Sequence, residues 1–480
     1  MKLYNSLTKS VEDFRPLDGT TARIYSCGPT VYDYVHIGNL SAFITADLLR
    51  RALTYAGTHR DTYSVQHVMN FTDVDDKTIR RSRAQHPDLE PKDALQKLTT
   101  QYSDAFLHDM QAIGNDTAAL TFVRATDPET IDGMKQLISS LHEKGFAYIA
   151  DDGVYFSIDA YRKSGKTYGQ LVELTSTNTS NARIQNDEYD KDSIHDFALW
   201  KTQKPGEPAW EFNLNGIDLH GRPGWHIECS VMSAQALGVP FDIHTGGIDL
   251  QFPHHENEIA QSTAGAATDV YAHTFVHNEH VLVDGKKMSK SLGNFYTLRD
   301  LEEQGVSALA FRMLVLQSHY RKSTQFSFDN ATAAHNRLHH WRNIAALRHQ
   351  IHDTLHDDDD KAMELRGART AFLEALYNDL DTPNALRSID ETFDSIEKKP
   401  LHAIQQRALV EFLEAIDETL GLQLIQTTPD ILDVQKKTIL ARTRAREEKD
   451  WATSDALRDQ LLKDGIELVD TVQGSIWRYV

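Results

Sequence analysis

The segment Arg23-Ile24-Tyr25-Ser26-Cys27-Gly28-Pro29-Thr30-Val31-Tyr32-Asp33-Tyr34-Val35-His36-Ile37-Gly38-Asn39 decides the fold class. Residues 23–27 form a short extended run, and Gly28-Pro29 ends it. A helix is expected after Gly38, carrying Phe43, Leu49 and Leu53 towards a stop at Gly57. A second extended run over 62–69 follows. Strand, glycine-containing turn, helix and strand together predict a parallel sheet covered by helices, an α/β fold.

Working outward, residues 117–200 read as an insertion, with a helix over 128–144 and β-rich text over 148–158. The polar stretch 175–193 reads as a loop, and the α/β pattern resumes at Trp225 and runs to about Asn294. From 301 to 422 the text is nearly all helical, with Phe372, Leu376 and Leu380 at helical spacing. The acidic run 357–360 is expected to be an exposed connection. The last unit, 433–480, holds a basic helix, a second helix over 451–463 and an extended tail near Trp477-Arg478. The predicted domains are therefore 1–300 (insertion about 117–200, lysine-containing loop 286–294), 301–422 and 433–480.

A chain of 480 residues can bury a sizeable core in two to four domains. No run of about 18 apolar residues stands out, and residues 1–10 lack a secretory pattern, so a cytoplasmic protein is expected. The net charge of -20 has the wrong sign for a nucleic-acid binder, so any RNA contact must come from a local basic surface. Two cysteines, Cys27 and Cys229, make no disulfide framework. Such cysteines are ordinarily small buried hydrophobes, unless other metal-ligating residues gather near them.

Two segments suggest phosphate chemistry. His36-Ile37-Gly38-Asn39 stands at a helix start, where unpaired N–H groups and the helix dipole favour an anion. His36 can donate to a phosphoryl oxygen, and Gly38 permits close approach of a nucleotide. Lys287-Met288-Ser289-Lys290-Ser291 places two lysines on a small-residue loop, suited to neutralising charge in phosphoryl transfer. Taken alone, the first is a weak match and the second an ordinary solvated basic loop.

A third group concerns metal. Gly224-Trp225-His226-Ile227-Glu228-Cys229 leads to Phe252-Pro253-His254-His255-Glu256-Asn257-Glu258. His254 and Glu258, four apart after a proline, project from one helix face. Cys27 falls at the sheet edge where α/β proteins bind ligands. Two sulfurs, an imidazole and a carboxylate suit zinc. The alternatives are a surface helix in a histidine-rich chain and two cysteines filling core.

The two phosphate motifs, in this order and flanking one α/β region, resemble the ATP site of class I aminoacyl-tRNA synthetases. Cys27-Gly28-Pro29-Thr30-Val31-Tyr32-Asp33, Asn70-Phe71-Thr72-Asp73-Val74-Asp75-Asp76-Lys77 and the metal segments are similar to those of cysteinyl-tRNA synthetases. The resemblance implies a Rossmann-like catalytic domain with an inserted subdomain, then a helical bundle and a small mixed α/β C-terminal domain. It implies that His36 and Lys290 stabilise the transition state of adenylate formation, with Lys287 assisting. Asn39 stands where the family motif has histidine, so it can donate a hydrogen bond without carrying charge. One Zn2+ per chain would be held by Cys27, Cys229, His254 and Glu258. Gly38, Gly247, Asp249 and Lys290 would contact ATP, accompanied by Mg2+, and Thr72 and Trp225 would line the cysteine pocket. Trp477 and Arg478 are the expected readers of tRNA(Cys) in an anticodon-binding-like terminal unit.

The implied reaction joins L-cysteine, ATP and tRNA, in a monomer with no membrane partner. Zinc coordination of the substrate thiolate would reject serine without an editing site, Glu258 being the ligand expected to loosen. The nearest rival is a cysteine ligase of mycothiol biosynthesis acting on an aminosugar, which has no use for an RNA-reading unit. A non-catalytic, zinc-stabilised RNA-binding protein would not need His36 and Lys290. Nucleotidyltransferases with a similar first motif are short and lack the second at this distance.

Overall fold

Ala22, Ile24 and Tyr25 are fully buried in a strand, β1 (Thr21–Ser26), which runs into the turn that carries Cys27. The computed structural model describes the chain except residues 174–178, 184–193, 267, 289–292, 352–358 and 472–473. After β1 come α1 (Ile37–Ala56), β2 (Ser64–Phe71), α2 (Asp76–Gln85), β3 (Thr121–Arg124), α3 (Trp225–Leu237), β4 (Phe241–Gly247), α4 (Glu256–Gly265) and β5 (Ala272–Asn278). The five strands form one parallel sheet in the order β5-β4-β1-β2-β3. Their near-continuous burial is what a parallel sheet covered on both faces requires. Strand order reverses between β1 and β4, and ligands of open α/β sheets bind outside the carboxyl ends of strands at such a point.

Three expectations need correction. Thr121–Arg124, inside the segment read as an insertion, is the edge strand of the parallel sheet, with Val68 opposite Thr121. Four residues are too few to show a hydrophobic period. The inserted subdomain is a second sheet of antiparallel strands, Ala147–Ala150, Gly153–Phe156, Ile194–Thr202 and Gly221–Pro223, packed on the helix Pro128–Glu143. Its core holds Ile131, Met134, Phe156, Phe197 and Trp200. The polar stretch read as a loop contains a strand, Thr179–Arg183, beside Ile194–Thr202; most of the rest lies outside the described residues. Asp359 and Asp360 begin a helix, Asp359–Tyr377, rather than a connection, and 357–358 lie outside the described residues.

The chain forms two compact units, Met1–Ala308 with Tyr320–Phe326 and Asn378–Leu380, and Leu309–His319 with Ser327–Tyr377 and Asp381–Val480. In the second, helices Asp359–Tyr377, Thr382–Glu397 and Gln406–Leu420 pack through Phe372, Phe393 and Phe412. Helices Asp433–Glu447 and Trp451–Lys463 then lead to a hairpin of Ile466–Thr471 and Gly474–Tyr479. Among the described residues no helix is long and apolar enough to cross a membrane.

Candidate active site and metal centre

A cavity of about 470 Å³ opens at the carboxyl ends of β1 and β4. His36 on its wall is the N-cap of α1, and its Nδ1 accepts the Asn39 backbone N–H at 3.2 Å. In the neutral ring this puts the proton on Nε2, a donor. The Phe295 ring meets the imidazole edge-on at 5.0 Å. A Cβ on Gly38 would come within 2.6 Å of Met288 Cε and 2.9 Å of the His36 ring, so a side chain here would require Met288 and the His36 ring to shift. Asn39 and Lys287 are exposed on the same wall, and Lys290 lies outside the described residues.

Gly247 ends β4 on the wall, where an added Cβ would meet Asp249 Oδ1 at 2.6 Å. Asp249 is exposed on the wall in the next turn, Ile248–Leu250. Trp225, first residue of α3, also faces the cavity, and its ring stacks on that of His254 at 4.4 Å. Thr72 is buried beside the cavity and not on its wall. Its backbone pairs with Pro29 and Val31, and its hydroxyl receives Asn70 Nδ2 at 3.1 Å, so it supports the turn after Cys27. Tyr32, Lys77, Glu279 and His280 also line the cavity and were missed by sequence reasoning. Lys77 stood at the end of a quoted motif; Glu279 and His280 had no local signal.

Behind Trp225 the structure gathers Cys27, Cys229, His254 and Glu258, all buried, with one donor atom from each within 4.8 Å of the others. Cys27 comes from the turn after β1, Cys229 from the second turn of α3, and His254 and Glu258 from the irregular turn Gln251–His255 and the α4 it enters. The two sulfurs are 3.9 Å apart, Cys27 Sγ is 3.7 Å from Glu258 Oε1, and His254 Nε2 is 3.1 Å from that oxygen. A tetrahedral zinc with Zn–S of about 2.3 Å has an S···S edge of about 3.8 Å, so spacing and donor chemistry fit that ion.

The charges agree. Burial raises the Cys229 thiol, but the hydrogen bond from Cys27 and the nearby His254 bring it down to about 6. Burial pushes Cys27 well up. Glu258 lies below the usual range: burial raises it, and His244 and His254 outweigh that. Burial likewise works against protonated His254, which Glu258 and Cys229 nevertheless raise.

A second layer holds these donors. Glu258 turns Oε1 to the cluster, while Oε2 accepts from Tyr271 at 2.8 Å and lies 2.8 Å from His244 Nε2. His254 Nδ1 lies 2.8 Å from His226 Nδ1, which orients the ring. His244 and His255 form an alternative quartet with Cys27 and Glu258, His255 Nε2 being 3.4 Å from Cys27 Sγ. The first quartet is the better candidate because His254 backs directly onto the cavity through Trp225, whereas His244 is engaged with the far oxygen of Glu258.

The terminal unit corrects one expectation. Trp477 is 5% exposed, in a core with Ile466 and Leu468, and its backbone bonds to Gln350 in both directions. A ring so placed cannot stack on an RNA base without leaving its core. Arg478 is ion-paired with Glu397 at 2.6 Å. The exposed aromatic is Trp451, at 59%, where the second terminal helix begins. Of the basic run, Arg442 and Arg446 bind Asp470 and Lys436 binds Asp430, while Lys437, Arg444 and Lys449 are exposed. Aromatic type was legible in the sequence, but burial was not.

Residues 13–336 match the model of the tRNA synthetases class I (C) catalytic domain. A cysteine–tRNA ligase of Brachyspira hyodysenteriae is 38% identical over 99% of this chain and 98% of its own length. One of Thermococcus onnurineus is 39% identical over 100% and 99%. Among solved structures, Mycobacterium tuberculosis methionyl-tRNA synthetase bound by methionyl-adenylate shares the fold, with a TM-score of 0.58 at 14% identity over 85% of this chain and 92% of its own. The LeuRS of Agrobacterium radiobacter, in a ternary complex with tRNA and LeuAMS, gives 0.58 at 12% over 85% of each. The sheet order, the phosphate motifs and these full-length relatives converge: the chain belongs to the cysteine–tRNA ligase family of class I tRNA synthetases.

Proposed function

We propose that the chain activates L-cysteine with ATP to cysteinyl-adenylate and transfers it to the 3′-terminal adenosine of tRNA(Cys), with one Zn2+ held by Cys27, Cys229, His254 and Glu258. The observation that carries this is the joining of a soft-donor quartet to a phosphate-binding helix start at one sheet switch point. Bound zinc would supply coordination that deprotonates a thiol and binds sulfur far better than a hydroxyl.

The chain's own residues then do the following. The cysteine carboxylate attacks the α-phosphorus of Mg2+-bound ATP and pyrophosphate leaves, while His36 Nε2–H donates to a phosphoryl oxygen. Lys287 and Lys290 neutralise the charge that develops there. Gly38 keeps the space in which nucleotide meets backbone, and Asp249 lies where it can take ribose hydroxyls. Trp225 closes the amino-acid end and excludes water. Glu258 is the ligand suited to yield, because Tyr271 and His244 continue to hold its other oxygen.

The test is cysteine-dependent ATP–pyrophosphate exchange, then aminoacylation with cysteine against serine, with and without a chelator. A preference for cysteine of at least about 10⁴-fold is expected, beyond the about 10–200-fold that one small group in an apolar pocket provides. Chelation should remove exchange and added Zn2+ restore it. Metal-free enzyme with unchanged preference would show the reading wrong. The full-length relatives also match the terminal unit, which favours tRNA over an aminosugar as acceptor.

The terminal unit gives a separate expectation. Trp451→Ala should raise KM for tRNA about tenfold, since base stacking contributes roughly 1–3 kcal/mol, and leave pyrophosphate exchange intact. Steady-state aminoacylation at varied tRNA checks this; an unchanged KM would remove Trp451 as a base-stacking residue.

A further inference from the structure

We infer that the outer face of α2 is a docking strip for the unpaired 3′ end of the acceptor RNA, with Arg80 and Arg83 holding its phosphates; this rests on the function proposed above. The helix starts at the cavity. Asp75 and Thr78 form a capping box that fixes its first turn, and Lys77 lines the cavity wall. Thr78, Ile79 and Ser82 face the core and are buried. Lys77, Arg80 and Arg83 recur at intervals of three on the other side, so the row leads outward from the cavity over about 9 Å.

Within the helix nothing neutralises Arg80 and Arg83. Asp76, the only acid on the helix, is taken by Arg222 and by Lys201 at 3.2 Å. Arg81 is turned towards Asp33 at 3.6 Å and the Tyr102 hydroxyl at 3.4 Å. Arg80 and Arg83 are exposed and, among the described residues, neither has an ion-pair partner. A Cβ on Gly206 would lie 3.1 Å from the Arg83 guanidinium, so the missing side chain there leaves the group its place. Lys204, two residues earlier, is exposed and adds a further cation. In a chain of net charge -20, cations in a row at the mouth of a nucleotide cavity are a local reversal of sign. The polymer that must enter this cavity carries one negative charge per phosphate, and arginine forks match phosphate oxygens.

The test uses full-length Arg80→Ala/Arg83→Ala and Arg80→Glu/Arg83→Glu double variants. Cysteine-dependent exchange should stay within about twofold of the parent, because neither residue lines the cavity. Aminoacylation kcat/KM for tRNA should fall about tenfold in the alanine pair and further in the glutamate pair. The slope of log affinity against log salt should become shallower by about 1.4, at about 0.7 for each phosphate of a single strand that is no longer neutralised. On tRNA lacking its unpaired 3′ nucleotides, parent and variants should bind alike. Unchanged kcat/KM and salt slope would overturn the proposal and leave a merely solvated helix face. An equal loss on truncated tRNA would overturn it in favour of another part of the RNA. If the parent itself shows no cysteine-dependent exchange, the proposed function fails first and this inference falls with it.

Discussion

Cys229→Ser is expected to empty the metal centre and lower cysteine-dependent pyrophosphate exchange by about 10³-fold or more, while the fold survives. Serine nearly matches cysteine in size, so the buried second turn of α3 keeps its packing. What changes is the donor. The Cys229 thiol, at about 6, gives up its proton readily, and a serine hydroxyl does not. With one soft ligand gone, Cys27, His254 and Glu258 retain three donors, one of them a hard oxygen. Metal content after dialysis should drop from about one per chain to near zero, with far-ultraviolet circular dichroism unchanged. His226→Asn should act more mildly, because it reaches the site only by orienting His254: about 10- to 100-fold in metal affinity. A serine variant that retains its metal and full exchange would show that this quartet is not the centre.

Gly28→Ala should destabilise the first unit by about 3 kcal/mol or more and abolish exchange. A methyl group there would stand 1.7 Å from the Asn70 carbonyl oxygen, and that atom is backbone, so no side-chain rotation relieves the overlap. The Gly28 N–H also donates to Asn70 Oδ1 at 2.8 Å. To admit the methyl, the turn after β1 must part from the end of β2, breaking the pairs Thr72 makes with Pro29 and Val31. Cys27 and the cavity wall shift with it. Gly367→Ala is the contrast: this glycine lies inside helix Asp359–Tyr377 with open space around its Cβ position. There alanine should stabilise by about 0.5–1 kcal/mol, through helix propensity and a less flexible unfolded chain. Urea unfolding of the two variants measures both; equal midpoints would contradict the steric argument.

The metal quartet was suggested by the family resemblance; composition alone contributed only that the chain has two cysteines. The resemblance assigns both cysteines to the site, and the four-residue spacing of His254 and Glu258 is a helical one. The choice between neighbours was not legible. His255, adjacent in sequence to His254, comes within 3.4 Å of Cys27, and only the turn geometry of Gln251–His255 says which ring backs onto Trp225. The tail shows the same limit. Trp451 and Trp477 are equally aromatic on paper, yet one is exposed and the other fills a core with residues from a paired strand. Thr121–Arg124 was not read as a strand of the parallel sheet but left inside the insertion, because its partner, β2, lies about fifty residues earlier and leaves no local trace.

The sequence by itself determined what short stretches of chain dictate. These are the strand that breaks at Gly28-Pro29, the helix that begins by His36 and the presence of two soft donors; the expected loop 286–294 instead opens with a short strand, Lys286–Lys287, and 289–292 lie outside the described residues. Backbone preference and side-chain chemistry act over a few residues, so they can be read there. Only the tertiary structure decided that β4 lies beside β1, which carries Cys229, His254 and Glu258 across some two hundred positions to Cys27. Strand order and burial are set by how distant segments pack against each other, a property that no single segment carries.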